Sequence, residues 1–294
     1  MTISLPLDPV RPPTLTSRTR IVGVMGWPVA HSLSPAMHNA AFQALGLDWA
    51  YIPLPVPPER LAAAVAGAQA LGLAGINVTI PHKQAVMDLV DEMTPAARAI
   101  GAVNTLRFNG RIYGDNTDWT GFLNALRDVG YDPTGQHAVI LGAGGAARSI
   151  VYALASVNAS VAVYNRSLDR AQEIVTGLSE VFPDGQLEAY CLDKLPQELD
   201  RYPQLIVNTT SLGMAPSIEG TPWPSGLPIP AYATVYDLVY NPLATRFLKT
   251  AKASGARAVD GLGMLVHQGA RAFTLWTGIE PPTDVMYKAC LQYL

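Results

Sequence analysis

The segment Gly142-Ala143-Gly144-Gly145-Ala146-Ala147 follows directly on the apolar run Ala138-Val139-Ile140-Leu141. No other junction in the chain constrains the fold as much. The apolar run reads as a buried strand, with the strand beginning at His137. Gly142 permits a tight turn, Gly144 lets the backbone approach a pyrophosphate, and Ala147 supplies the small side chain that helix–strand packing needs. A helix from about Ala146 to Ser156 would aim its N-terminal amides and dipole at phosphate oxygens. Glycine-rich turns also serve as plain strand–helix connectors. The strand–turn–helix–strand context is what carries the dinucleotide reading for Gly142, Ala143, Gly144, Gly145 and Ala146.

The end of the next strand, Ser160–Tyr164, selects the dinucleotide. An NAD site places an Asp or Glu there to hold the ribose 2′-hydroxyl. This chain has Asn165-Arg166-Ser167 instead, with Arg170 four residues beyond Arg166. Two guanidinium groups at that spacing can share a helix face and clamp a 2′-phosphate. They also fit as two solvated surface residues, and Asp169 lies nearby. The pair favours NADP over NAD.

Around this unit the chain alternates strand-like and helix-like segments, the signature of parallel α/β architecture. Ile21–Met25, Trp49–Val56 and Gly75–Ile80 read as strands. Helical stretches follow Pro35, span Glu59–Ala70 and open near His82. Val103–Tyr113 reads as a hairpin turning at Asn109-Gly110. Leu205–Asn208 and Thr234–Val239 continue the second series, Ala215–Pro230 reads as a long surface loop, and a last helix runs from Leu262 to Thr277. At 294 residues and 49% hydrophobic content, two domains with buried cores are expected. The fold class is α/β, with the chain crossing between two α/β domains near Asp118 and again near Asp260.

A set of polar blocks falls where the strands of the first half end. These are Gly26-Trp27-Pro28-Val29-Ala30-His31-Ser32-Leu33-Ser34-Pro35, Asn77-Val78-Thr79-Ile80-Pro81-His82-Lys83, Gly101-Ala102-Val103-Asn104-Thr105 and Gly114-Asp115-Asn116-Thr117-Asp118. A fifth is Asp260-Gly261-Leu262-Gly263-Met264-Leu265-Val266-His267-Gln268. In open α/β sheets, strand C-termini open onto the ligand crevice. Together, in this order, the blocks resemble the shikimate dehydrogenase family from Ile21 to about Trp276. The resemblance implies a split substrate domain formed by residues 1–118 and 260–294, with a Rossmann-type NADP-binding domain over 119–259 between its two parts.

The resemblance implies an NADP-dependent oxidoreductase that interconverts 3-dehydroshikimate and shikimate on the route to chorismate and the aromatic amino acids. It implies Lys83 and Asp118 as the catalytic pair, the lysine handling the proton as hydride moves. It places Ser32 and Ser34 on the substrate carboxylate and Asn77, Thr79, Asn104 and Gln268 on ring hydroxyls. Tyr240 would lie near both carboxylate and nicotinamide, while Gly261, Met264 and Thr209 would border the cofactor. Each has a plainer alternative. Ser34 fits a helix N-cap, Lys83–Asp118 fits a surface salt bridge, Tyr240 a core aromatic and Met264 a core filler. His82 reads as a surface residue at a helix start. Thr209 stands where many members carry Ala, and Trp119 is bulky beside the acid.

Other function classes fit poorly. The net charge of −3 supplies no basic face for nucleic acid, and no polybasic run suits a membrane surface. No apolar stretch approaches the ~20 residues needed to span a bilayer. The first 20 residues hold four prolines and no apolar block, so they do not read as a signal peptide. Cys191 and Cys290 lack metal or disulfide spacing, and the five histidines make no metal site. A cytoplasmic monomer or homodimer acting on a small molecule is expected. Two alternatives stay open: a quinate or dual quinate/shikimate dehydrogenase, and an NADP-binding regulator without turnover. Quinate carries an extra hydroxyl on the carboxylate-bearing carbon, so the surroundings of Ser32 and Ser34 would discriminate.

Overall fold

A computed structural model describes residues 14–294. Residues 1–13, most of the proline-rich leader, lie outside the described residues. In chain order the first part contains β1 (Arg20–Gly26), α1 (Ser34–Ala44), β2 (Trp49–Pro55), α2 (Leu61–Ala70), β3 (Gly75–Val78), β4 (Glu92–Met93), α3 (Pro95–Ile100), β5 (Thr105–Asn109) and β6 (Arg111–Asp115). Its six strands lie in the order β2-β1-β3-β5-β6-β4. The sheet is mainly parallel, as expected: β5 alone runs against the other five strands, antiparallel to β3 on one side and to β6, its partner in the expected hairpin, on the other. Gly110, at φ +73°, makes the turn. The helix expected near His82 is instead a turn followed by a short 3₁₀ segment, Ala85–Leu89.

α4 (Asp118–Asp128) leads into the second part. There follow β7 (His137–Leu141), α5 (Gly145–Ala155), β8 (Ser160–Asn165), α6 (Leu168–Ser179), β9 (Leu187–Cys191), a one-turn α7 (Leu195–Glu198), β10 (Leu205–Asn208), β11 (Thr234–Asp237), α8 (Arg246–Ala253) and β12 (Arg257–Val259). The chain returns through α9 (Leu262–Thr277) and closes with α10 (Thr283–Leu291), so α9 is not the last helix. Every pairing in this second sheet is parallel, in the order β12-β11-β10-β7-β8-β9. That is a doubly wound sheet whose direction of winding reverses between β7 and β10, the topological switch point where such sheets bind ligands.

Ala138–Leu141 and Leu205–Val207 are buried on both faces, as parallel strands between helix layers must be. The proposed surface loop 215–230 has no helix or strand, yet it is not wholly on the surface: Trp223 and Ile229 sink into the core beside Phe247. No helix among the described residues is long and apolar enough to cross a membrane.

The two parts join through α4 and α9. Their backbones run so close that a Cβ on Gly121 would sit 2.8 Å from the Gln268 amide nitrogen, so only glycine fits. This contact links Asp118, in the first turn of α4, to Gln268 in α9.

Candidate active site

Strand ends of the first sheet gather most of the polar residues singled out from sequence. Asn77 lies in β3, and Thr79 is half-buried just beyond it. Lys83 follows the turn, where its carbonyl accepts from the Val103 amide at 2.8 Å. That bond holds the lysine backbone against the segment carrying Asn104. Across it, the Lys83 ammonium donates to Asp118 Oδ2 at 2.7 Å, with the lysine side chain 20% and the aspartate 8% exposed. The half-buried setting is not that of a solvated surface salt bridge. His82 is buried as well, its Nε2 lying 2.7 Å from the Val56 carbonyl, which corrects its expected surface role.

Asn104 is used up by the protein itself. Its amide nitrogen donates to Asp118 Oδ1 at 2.8 Å and to Thr117 Oγ1 at 3.0 Å. Its oxygen accepts from the Thr117 amide at 2.8 Å and the Thr105 hydroxyl at 2.9 Å. An amide has two donor hydrogens and two acceptor sites. A ring hydroxyl can therefore bind Asn104 only by exchanging with one of these partners, and its direct action here is to aim the Asp118 carboxylate. Asp118 is further fixed through its amide, which donates to Asn116 Oδ1 at 3.1 Å.

Ser34 is buried and is the first residue of α1, while Leu33 occupies the cap position without a side-chain bond. Ser34 thus does not cap the helix. Instead Ser32 Oγ accepts from the Ser34 amide at 3.2 Å. Gln268 Nε2 donates to the Leu265 carbonyl one turn back at 2.8 Å, leaving its oxygen unengaged. Tyr240 packs against the core cluster that contains Val29, Leu33 and Val266, and burial pushes its hydroxyl pKa up.

At the switch point, Gly142 adopts φ +108°, and a Cβ there would come 2.7 Å from Thr210 Cγ2 and 2.9 Å from Thr209 Oγ1. Thr209 closes the end of β10 onto β7, its amide and hydroxyl both donating to the Leu141 carbonyl at 2.9 Å. Beyond Gly142 the turn is bare. Gly144 and Gly145 are exposed, have open space where a Cβ would stand, and start α5 without a side-chain cap. Ala143 and Ala146 flank them half-buried. Free amides at the start of an 11-residue helix, with no side chain in the way, fit a dinucleotide pyrophosphate.

Asn165 ends β8 and donates to the Ser167 carbonyl at 2.8 Å, which tightens the turn into α6. Arg166 and Arg170 are exposed and form no ion pair among the described residues, which leaves both open to an anion. Arg166 precedes α6 rather than lying on it, so the two do not share a helix face in the expected way. They flank the turn at the C-terminal end of β8, next to the glycine turn after β7. Gly261 precedes α9 where a Cβ would lie 2.1 Å from the Leu238 carbonyl oxygen. Met264 is buried in the core near Phe122 and Tyr236, and Trp119 packs edge-on against Tyr152 at 5.4 Å.

Several contributing residues escaped the sequence reading. Thr105 and Thr117 complete the Asn104 network, and Asn116 reaches the Ala102 carbonyl at 2.9 Å. Asp237 at the end of β11 accepts from Asn208 Nδ2 at 2.8 Å, Thr245 Oγ1 at 2.7 Å and the Val239 amide at 3.1 Å. Burial pushes the Asp237 pKa up, and these three donors pull it back. Tyr51 and His38 stack beneath Asn77, with ring centroids 4.3 Å apart and planes 7° from parallel. Both His38 ring nitrogens are buried without a hydrogen-bond partner, and burial pushes the imidazole pKa down to about 3.

A doubly wound sheet with a dinucleotide turn, joined through α4 and α9 to an α/β unit bearing an ammonium–carboxylate pair, defines a dinucleotide-dependent dehydrogenase. Family models agree. The shikimate dehydrogenase substrate binding domain matches residues 24–106, the shikimate/quinate 5-dehydrogenase domain residues 125–215, and the shikimate 5'-dehydrogenase C-terminal domain residues 261–291. The NADP(+) shikimate dehydrogenase of Methanopyrus kandleri is 49% identical, over 96% of this chain and 98% of its own. That of Geobacter metallireducens is 47% identical over 95% and 99%. A crystal structure of the Thermus thermophilus enzyme in complex with NADP(H) and shikimate superposes with a TM-score of 0.84 at 39% identity, covering 94% of this chain and all of that one. The chain belongs to the shikimate dehydrogenase family.

Proposed function

We propose that this protein is an NADP-dependent oxidoreductase that reversibly reduces 3-dehydroshikimate to shikimate, on the route to chorismate and the aromatic amino acids. The observation that carries the chemistry is the 2.7 Å contact between Lys83 and Asp118, held at the strand ends of the first sheet. Relatives at 47–49% identity over nearly the whole chain carry the same activity in their names, which supports the substrate and the cofactor.

Bound NADPH supplies a hydride to the ring carbonyl. As the carbonyl oxygen gains charge, the Lys83 ammonium stabilises it and delivers a proton, and in the reverse direction the amine removes one. Asp118 holds that ammonium in place and accepts from a ring hydroxyl. Ser32 and Ser34 donate to the carboxylate, with Tyr240 beside it, Asn77, Thr79 and Gln268 address the ring hydroxyls, and Asn104 aims the Asp118 carboxylate at them. Gly142 through Ala146 hold the pyrophosphate. Asn165, Arg166, Ser167 and Arg170 surround the adenosine 2′-phosphate, and Thr209, Gly261 and Met264 border the nicotinamide half.

On this reading residues 1–118 and 260–294 form the substrate unit and 119–259 the nucleotide unit, with α4 and α9 as the joint between them. The presence of both Ser32 and Ser34 supports shikimate over quinate, since neither is replaced to accommodate an added hydroxyl. The proposed compartment is the cytoplasm, consistent with Cys191 and Cys290 both being free thiols. The test is direct: purified protein is mixed with 3-dehydroshikimate and NADPH, and loss of NADPH absorbance is followed alongside product identification. Stoichiometric shikimate supports the reading, and NADPH consumption without it, or none, rejects it.

A further inference from the structure

Tyr51 is the least expected residue near the candidate site. It comes from the middle of β2, in an extended run that reads as core, and its side chain is almost completely buried. Its backbone is held at both polar atoms by Asn39 of α1: Asn39 Nδ2 donates to the Tyr51 carbonyl at 2.9 Å, and the Tyr51 amide donates to Asn39 Oδ1 at 2.8 Å. Its ring is stacked on His38 and tilted against Trp276, whose Nε1 in turn donates to the Leu106 carbonyl at 2.9 Å. A side chain fixed on so many sides cannot move its hydroxyl far. That hydroxyl donates to Asn77 Oδ1 at 2.8 Å.

The consequence lies in the amide of Asn77. Its oxygen and nitrogen are nearly equal in size, so only the hydrogen-bond partners decide which way round it sits. Tyr51 has a single proton, and giving it to Asn77 defines that atom as the oxygen. The nitrogen then faces the opposite way and donates to Thr105 Oγ1 at 3.1 Å and the Asn104 carbonyl at 3.3 Å. Both amide hydrogens are engaged, as is one of the two acceptor sites on the oxygen. What Asn77 retains for a ligand is one acceptor lone pair.

We propose that Tyr51 is a specificity-determining positioning residue that locks the Asn77 amide so that it presents only an acceptor to the substrate. The ring substituent that meets Asn77 must accordingly be a hydrogen-bond donor. A hydroxyl qualifies, whereas a carbonyl, ether or fluorine at the same carbon meets a lone pair. The inference rests on the shikimate reading, because it concerns how that substrate's ring hydroxyls are told apart from acceptors.

A double-mutant cycle on the full-length protein tests it, with shikimate and NADP as substrates. Tyr51→Phe keeps the ring and its stacking and removes the hydroxyl that donates to Asn77 and also meets the Ser34 side chain, and the cycle isolates the Asn77 part. It is expected to raise KM for shikimate about five- to ten-fold, the size of one net hydrogen bond, with KM for NADP unmoved. In an Asn77→Ala background the same Tyr51→Phe change is expected to leave KM for shikimate within about two-fold, because the residue it acts through is gone. Thr105→Val frees the nitrogen end of the same amide and also removes a donor to Asn104, so the part of its KM effect that disappears in the Asn77→Ala background is the readout that serves if Tyr51→Phe fails to fold. A merely structural role would raise KM by an equal factor in both backgrounds, and that result overturns the proposal. So does an unchanged KM in Tyr51→Phe. If the wild-type protein turns over no shikimate at all, the functional reading fails first and takes this inference with it.

Discussion

The Lys83 ammonium and the Asp118 carboxylate meet at 2.7 Å although 35 residues separate them in the chain. The first is brought there by the turn after β3 and the second by the start of α4. Removing the ammonium leaves a buried carboxylate without its cation and the reacting oxygen without a proton source. Lys83→Ala is therefore expected to lower kcat by roughly 10²- to 10⁴-fold with a much smaller change in KM. Steady-state kinetics check this, and near-normal turnover with unchanged affinity would remove Lys83 from the catalytic pair.

Asn104 offers a sharper distinction. Because its amide is engaged with Asp118, Thr117 and Thr105, its loss should disturb the aim of the carboxylate more than the grip on the substrate. Asn104→Ala is expected to lower kcat roughly 10- to 100-fold. A rise in KM alone, at full kcat, would mean that Asn104 acts mainly as a substrate contact.

Cofactor choice depends on two exposed arginines at the end of β8. Replacing Arg166 and Arg170 together by Ser should raise KM for NADP by roughly 100-fold, two charge-assisted bonds to phosphate being lost. KM for NAD, which has no 2′-phosphate, should change by less than about three-fold. Parallel losses with both cofactors would show that the arginines support the fold rather than read the phosphate.

His38 makes stability depend on pH. Burial holds its folded-state pKa at about 3, below the ordinary 6.5 that the unfolded chain displays. As pH falls below 6.5 the unfolded chain takes up the proton and the folded protein does not. Stability is thus fully present above about 6.5 and is lost progressively down to about 3. Going from pH 7 to pH 5 should cost about 2 kcal/mol through this residue. Urea unfolding of wild type and His38→Met at both pH values measures it. An identical loss in the two proteins would show that His38 is not its source.

The α4–α9 joint tolerates nothing larger than glycine at 121. Gly121→Ala places a methyl 2.8 Å from the Gln268 backbone, which cannot swing aside as a side-chain tip could. A destabilisation of about 1–3 kcal/mol is expected, read as a lower Tm. An unchanged Tm would indicate that the helices part without cost.

The fully buried strands were readable from the chain because continuous apolar runs admit few other structures. His137–Leu141 and Leu205–Asn208 have the expected bounds, as does the helix Leu262–Thr277. Leu187–Cys191 and Arg257–Val259 went unread because they lie at the sheet edges and lack the runs that mark central strands. Glu92–Met93 is too short to leave any pattern. The same contrast holds in the candidate site. Lys83, Asp118 and the glycine turn stand in blocks whose spacing carries chemistry. Tyr51 stands alone among apolar neighbours, and its partner Asn77 is 26 residues away. His82 differs from expectation because a histidine beside a lysine reads as solvated, and the Val56 carbonyl that covers it is 26 residues away in the chain. Arg166 falls outside the expected helix face because α6 starts two residues later, at Leu168.

The most direct measurement is a four-way assay in which shikimate and quinate are each oxidised with NADP and with NAD, followed by absorbance of the reduced cofactor. Fast turnover confined to shikimate with NADP is the predicted result, and it would support the Lys83–Asp118 pair, the paired serines and the two arginines together. Comparable turnover of quinate, or preference for NAD, would contradict the assignment while leaving the fold intact.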